Sequence, residues 1–240
     1  MIQRNILTLG ELQADVVRKD IKHVHLSVYP PDGQVRISAP LNMALDTIRV
    51  YAITRLEWIK NQQCKLRAQD RETPREYLDR ESHYLWGRRY LLKIVEEDAA
   101  PVVKLRHNSI ELHVRPGSDA ERRHALLESW YRGILRTEVP ALLAKWQPAL
   151  GVCPARVLVQ RMKTRWGSCN PDSGIVRLNT DLARKPPVCL EYILVHELVH
   201  LLERSHNIRF QSLMDQAMPH WRQVRYELNQ LPVRHEAWDY

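Results

Sequence analysis

His196 and His200 stand four residues apart, with Glu197 directly after the first. On a helix that spacing projects both imidazoles from one face, one turn apart, so that they can grip a single metal ion. Glu197 then lies within reach of a water on that ion and can act as its general base, the H-E-x-x-H arrangement of zinc hydrolases. A lone histidine on an apolar helix is ordinarily a hydrogen-bonded core residue, so context has to carry the reading. The neighbours are Ile193, Leu194, Val195, Leu198, Val199, Leu201 and Leu202, which make a helix apolar nearly all round and therefore buried. Buried ionisable groups are costly unless paired, and a divalent cation is the natural partner for these three.

A catalytic zinc takes three protein ligands and leaves one position for water. His206, six residues after His200, is the best third ligand. The interval matches the metzincin pattern H-E-x-x-H-x-x-G-x-x-H, but Glu203 occupies the glycine position. If the helix simply continued, His206 would point about 240° away from His200. The chain must therefore turn near Glu203, Arg204 or Ser205. Glu203 and Asp215 are the fallback ligands. Tyr192, Arg165, His220 and Tyr226 are candidate donors to the oxyanion of an acyl-transfer reaction.

These groups need elements to hold them. Residues 23–29 alternate, Pro30-Pro31-Asp32-Gly33 turns, and Val35 and Ile37 continue a β-hairpin. One long helix is expected over residues 42–69, with Leu45, Ile48, Ala52, Leu56 and Ile59 facing inward. A polar break over residues 71–74 comes next. Residues 84–95 suggest two strands about Gly87, and residues 102–105 and 110–114 another hairpin. Ser118 and Glu121 form a capping box opening a second helix, which Pro140 should kink or restart. Val157 and Val159 mark a strand. Residues 164–172 are a loop by composition, and residues 174–179 a strand that either pairs with an extended peptide or belongs to the core. Pro186 and Pro187 suit the start of the metal helix. Phe210, Leu213, Met214 and Ala217 outline one short helix, and a last one runs through Trp221, Val224 and Leu228. No repeat is visible. The pattern divides into a β-rich region with one long helix (1–117), separate from or integrated with a metal-binding hydrolase domain (118–240).

The 240 residues, 44% hydrophobic and 27% charged, describe a water-soluble globular chain, and no run approaches the ~18 apolar residues that span a bilayer. The amino terminus has no apolar h-region, so the cytoplasm is the expected location and no membrane is involved. Cys64, Cys153, Cys169 and Cys189 lack any C-x-x-C pair and form neither a zinc ribbon nor a disulfide framework. Cys169, in a Gly-Ser-Cys turn, is a conceivable nucleophile, but nothing in the sequence sets a histidine beside it. A net charge of +8 favours anionic partners such as nucleic acid, nucleotide phosphates or acidic peptides. The basic residues are dispersed, however, and only Arg161-Met162-Lys163-Thr164-Arg165-Trp166 mixes basic with aromatic side chains.

Taken in order, Arg165-Trp166-Gly167-Ser168-Cys169, Ile175-Val176-Arg177-Leu178-Asn179, His196-Glu197-Leu198-Val199-His200 with His206 and Phe210, and Met218-Pro219-His220-Trp221 resemble the YgjP-like metallopeptidase family. That family is related to the SprT-like and WLM zinc peptidases. The likeness extends to Val35-Arg36-Ile37-Ser38-Ala39-Pro40 and Trp58-Ile59, and so runs from about residue 20 to 232. It implies an α+β fold with a zincin-like core, zinc on His196, His200 and His206, and Glu197 as general base. Three functions are compatible with this site. The first is a zinc peptidase acting on peptide or protein. The second is a metal-dependent hydrolase of nucleotide phosphoanhydrides, and the third a DNA-associated protein-processing factor.

Overall fold

The computed structural model describes residues 3–29, 33–68 and 72–232. It has the expected α+β character, arranged as two compact units that divide between Pro74 and Arg75. In the first unit, strands β1 (Gln3–Leu9), β2 (Leu12–Lys19), β3 (His25–Tyr29) and β4 (Gln34–Pro40) form one sheet in the order β1-β2-β4-β3. Antiparallel hairpins flank a parallel β2–β4 pair. Ala14, Val16, Val35, Ile37 and Ala39 line its buried face against Ile48, Ala52 and Ile59. The expected β3–β4 hairpin is present, although Pro30, Pro31 and Asp32 of its turn lie outside the described residues. The single helix expected over residues 42–69 is two, α1 (Leu45–Thr54) and α2 (Leu56–Ala68), separated at Arg55. Neither glycine nor proline marks that break.

The second unit opens with β5 (Ser82–Leu85), β6 (Arg88–Glu96), β7 (Val102–Leu105) and β8 (Ser109–Val114), in the order β5-β6-β8-β7. Order and pairing sense repeat those of the first sheet: two antiparallel pairs about a parallel one. Helix α3 (Ala120–Leu150) comes after them. Its N-cap is Asp119, whose carboxylate accepts from the Arg122 amide at 2.8 Å, and not the Ser118–Glu121 box; aspartate and serine cap about equally well, so the motif alone could not choose. Pro140 sits inside a helix that continues to Leu150, and Gly151, at φ 65°, closes it in the left-handed conformation.

Leu85, Tyr90, Leu92, Ile110, Leu112 and Val114 share one core with α3 and the later helices. Residues 82–114 and the segment after them therefore lie in one compact unit. The tip of the β5–β6 hairpin is pinned to the segment that introduces the helix bearing His196 and Glu197. Trp86 donates its amide to the Ala183 carbonyl at 2.8 Å, and Gly87 donates to Arg184 at 3.2 Å. Strands β9 (Arg156–Gln160), β10 (Gly167–Asn170) and β11 (Ile175–Asn179) make a third sheet in the order β10-β11-β9. The expected loop over residues 164–172 thus contains a strand, paired antiparallel with β11. A short 3₁₀ turn (Thr180–Arg184) leads to α4 (Pro187–Val199), α5 (Ile208–Ala217) and α6 (Trp221–Gln230). No helix among the described residues is long and apolar enough to cross a membrane.

Helix α4 is buried nearly all round, through Leu190, Tyr192, Ile193, Leu194, Val195, Leu198 and Val199 among others. At ~1.5–3 kcal/mol for each fully buried large apolar side chain, this is burial enough to hold polar groups rigidly in the interior. A cluster of buried charges, Arg184 with Glu128 and Asp181, lies in the same unit. Arg184 (5% exposed) donates to Glu128 (7%) at 2.8 Å and lies over the Tyr131 ring. Removing Glu128 costs Arg184 its charge-assisted hydrogen bond and leaves the guanidinium with Asp181 at 3.6 Å, so Glu128→Ala is expected to cost about 1.5–3 kcal/mol in urea denaturation. Asp172→Ala, which deletes the exposed pair with Arg204, should cost at most about 1 kcal/mol.

Candidate metal centre

Helix α4 ends just after its first histidine and glutamate. His200 is its C-cap, still in a right-handed conformation. The Leu201 and Leu202 amides then bond three residues back, to Leu198 and Val199, which tightens the last turn. Glu203 accepts hydrogen bonds from the Ser205 amide and hydroxyl at 3.4 and 3.2 Å, and these hold its carboxyl below the usual range. No residue from 200 to 206 has a positive φ. The turn therefore has no use for glycine, and the occupant of the glycine position is spent on holding it. Directly after His206, Asn207 caps α5 by accepting from the Phe210 amide at 3.0 Å.

This turn brings His206 back to the helix. One ring nitrogen from each of His196, His200 and His206 lies within 4.8 Å of the others, and the Nε2 atoms of His196 and His206 are 3.1 Å apart. Among the described residues no other group of three or more His, Cys, Asp or Glu side chains converges in this way. His200 Nδ1 lies 3.0 Å from the Glu203 carbonyl, which selects the tautomer with the proton on Nδ1 and leaves the Nε2 lone pair free. Burial, helped by the neighbouring His200 and His206, pushes the His196 imidazole down to about 3, and burial lowers His206 as well. A metal ligand must be neutral imidazole, so the donor set fits a divalent cation. The 3.1 Å separation is also close to the ~3.3 Å edge of a tetrahedron with zinc–nitrogen bonds of about 2.05 Å. The Phe210 ring, 1% exposed, lies 4.7–5.0 Å from all three imidazoles and forms a dry floor beneath them.

The triad opens into a cleft of about 460 Å³, walled by β10 and by Arg165, with Glu197 at its base. Glu197 is 5% exposed, and burial pushes its carboxyl up to about 8 against the pull of the Arg165 charge. A cation on the triad would draw that value down again. Asn179 organises the loop that carries Arg165. Its amide donates to the carbonyls of Met162 (2.9 Å) and Arg165 (2.8 Å), while its oxygen accepts from the amides of Met162 and Asp181. From sequence Asn179 is the end of a strand and the last residue of a family motif, and neither shows these hydrogen bonds.

Residues 22–231 match the profile of the YgjP-like metallopeptidase domain. The chain belongs to the YgjP-like family. It is thus a hydrolase of the metallopeptidase kind, a class that works with a divalent metal. Solved structures similar to part of this YgjP-like chain include two metallopeptidase zymogens. Abylysin of Pyrococcus abyssi is 21% identical, with 40% of this chain and 99% of that chain covered and a TM-score of 0.36. Jannalysin of Methanocaldococcus jannaschii is 19% identical, with 38% and 94% covered and a TM-score of 0.35. No curated protein matches.

Other sequence candidates fall outside the centre. Asp215 is bonded by Trp221 Nε1 at 2.8 Å and paired with Arg222, and it does not join the histidines. Of the four oxyanion candidates only Arg165 lines the cleft. Tyr192, 3% exposed, is stacked on Trp221 and edge-on to His196, and burial pushes its phenol up to about 12. Tyr226 lines a separate shallow depression with Trp221 and Arg225, and His220 lines neither. Strand β11 is central, with β10 on one side and β9 on the other, so it has no edge to offer a peptide. Cys169 does line the cleft, but burial and the Glu197 charge push its thiol up to about 11, the opposite of an activated nucleophile. Iodoacetamide at pH 8 is therefore expected to label the exposed Cys64 and Cys153 well before Cys169, as read by peptide mass spectrometry; first labelling at Cys169 would contradict the electrostatics described.

Proposed function

We propose that the protein is a zinc-dependent peptidase in which His196, His200 and His206 hold the cation and Glu197 is the general base. The observation that carries this reading is the convergence of three imidazoles beside one buried carboxylate. An all-imidazole donor set suits zinc, whereas magnesium and calcium prefer oxygen ligands. When bound, such a cation supplies Lewis acidity, acidifying a water and polarising the scissile carbonyl. Glu197 accepts the proton of the attacking water and later delivers it to the leaving amine nitrogen. Arg165, which lines the same cleft, is the cation available to offset the oxyanion charge. Phe210 keeps solvent from beneath the rings.

A peptide is the substrate that the wall of the cleft fits best. Strand β10 is an edge of its sheet. The Asn179 amide donates to the Trp166 carbonyl at 2.8 Å, which marks 166/179 as a hydrogen-bonded pair in the antiparallel register. By alternation 168/177 and 170/175 are also hydrogen-bonded, so the main-chain groups of Gly167 and Cys169 face away from β11. Those groups can pair with an extended peptide laid along the cleft. Nucleotide and DNA-linked readings rest on net charge, and on the cleft Arg204 is already paired with Asp172. Four free cysteines fit action in the reducing cytoplasm.

Metal analysis is expected to find one zinc per chain, lost or greatly weakened in His206→Ala. Chelation should abolish hydrolysis of peptide or protein substrates, and zinc should restore it. Glu197→Gln should retain zinc while kcat falls by about 10²–10⁴. Hydrolysis of nucleoside triphosphates but not of peptides, lost in Glu197→Gln, would overturn the choice of substrate while leaving the site intact.

A further inference from the structure

Gly167 opens strand β10, which packs against α4. Its backbone is not in the left-handed region, so conformational freedom is not what glycine supplies there. Space is. A Cβ at this position would stand 2.6 Å from Glu197 Oε1, 2.8 Å from Glu197 Cγ and 2.8 Å from Ile193 Cγ2. Glu197 and Ile193 are one turn apart on α4 and present one face to the strand. The missing side chain is therefore the volume that the buried Glu197 side chain occupies. None of the three nearest atoms belongs to a histidine of the triad.

We propose that Gly167 is a positioning residue for Glu197: the bare Cα of β10 lets the strand close on α4 and clamps the carboxylate in its place at the base of the cleft. The inference rests on the reading of Glu197 as general base. It separates two tasks that the site performs together. The three imidazoles are set by α4, the turn and the α5 cap, whereas the carboxylate is set by contact with a different element. A methyl at 167 displaces the carboxylate or pushes the strand from the helix, and leaves the metal ligands where they are. The same strand offers main-chain groups to a peptide, so one residue fixes the distance between substrate and base.

The test is a double-mutant cycle read in two ways. In the metal-free protein, Gly167→Ala is expected to lower the melting temperature by about 5 °C through overpacking. With Glu197→Ala also present the loss should be less than about half as large, because two of the three close contacts disappear with the side chain. In the zinc-loaded protein, Gly167→Ala is expected to lower kcat by about 100-fold, with KM within about threefold and zinc content unchanged. If Gly167→Ala alone does not fold, recovery of folding in the double variant supports the contact, and failure of both overturns it. Equal thermal losses in the two backgrounds, a kcat within about twofold of wild type, or loss of zinc would each overturn the proposal. An undiminished kcat in Glu197→Gln would instead sink the general-base reading, and the metal-free cycle would still measure the contact.

Discussion

Everything at this centre depends on holding one buried carboxylate, Glu197, and the half-buried rings of His196 and His200 beside a third imidazole, His206, that reaches solvent. Burial of such groups is opposed by desolvation, which here drives His196 towards neutrality and makes Glu197 hold its proton more tightly. The two effects point the same way chemically. A neutral imidazole can ligate a cation, and a carboxylate with raised proton affinity can take a proton from water. The desolvation is offset by α4, whose apolar residues are buried on nearly every side. A half-exposed amphipathic helix could present the same residues, but solvent would leave His196 and Glu197 near their ordinary protonation behaviour.

Rigidity comes from the neighbours of α4, each meeting a different part of it. Its approach is anchored by the β5–β6 hairpin tip, its exit by the Glu203–Ser205 turn, and the third histidine by the N-cap of α5. Phe210 serves two purposes, as a buried core residue and as the surface on which all three imidazoles rest. A shift of α5 would therefore move His206 and the floor under the other two rings together. Coupling of this kind makes the triad a property of the helix pair rather than of α4 alone.

The legible part of this site was the part encoded at helical spacing. His196, Glu197 and His200 declare themselves because i, i+1 and i+4 on an apolar helix have few other uses. His206 needed the further deduction that the helix must end, and Glu203, standing where a glycine was expected, concealed a turn built from right-handed residues and a side-chain acceptor. Hairpins β3–β4, β5–β6 and β7–β8 were readable from local alternation and turn residues. Strand β10 was not, because Gly-Ser-Cys-Asn has the composition of a loop and becomes a strand only through pairing with β11. Asn179 and Gly167 escaped for a similar reason. One works by hydrogen bonds to residues more than a dozen positions away, and the other by a side chain it lacks.

The repeated sheet topology shows how little sequence such a scaffold needs. Both sheets place a parallel pair between two antiparallel ones, and in both the inner strand before the helix buries alternate apolar residues: Val35, Ile37 and Ala39 in one, Ile110, Leu112 and Val114 in the other. The shared information is that alternation and the order of pairing, and neither survives as a visible repeat of residues. Parallel pairing of β2 with β4 and of β6 with β8 joins strands separated by an intervening strand, so no local pattern reports it. The two copies differ in the helices attached to them. After β4 the chain makes two modest helices, but after β8 it makes one of 31 residues, long enough to pack on its own sheet, on β9 and on α4. The second sheet thus supports α4 through α3, whereas the helices of the first pack back on their own sheet.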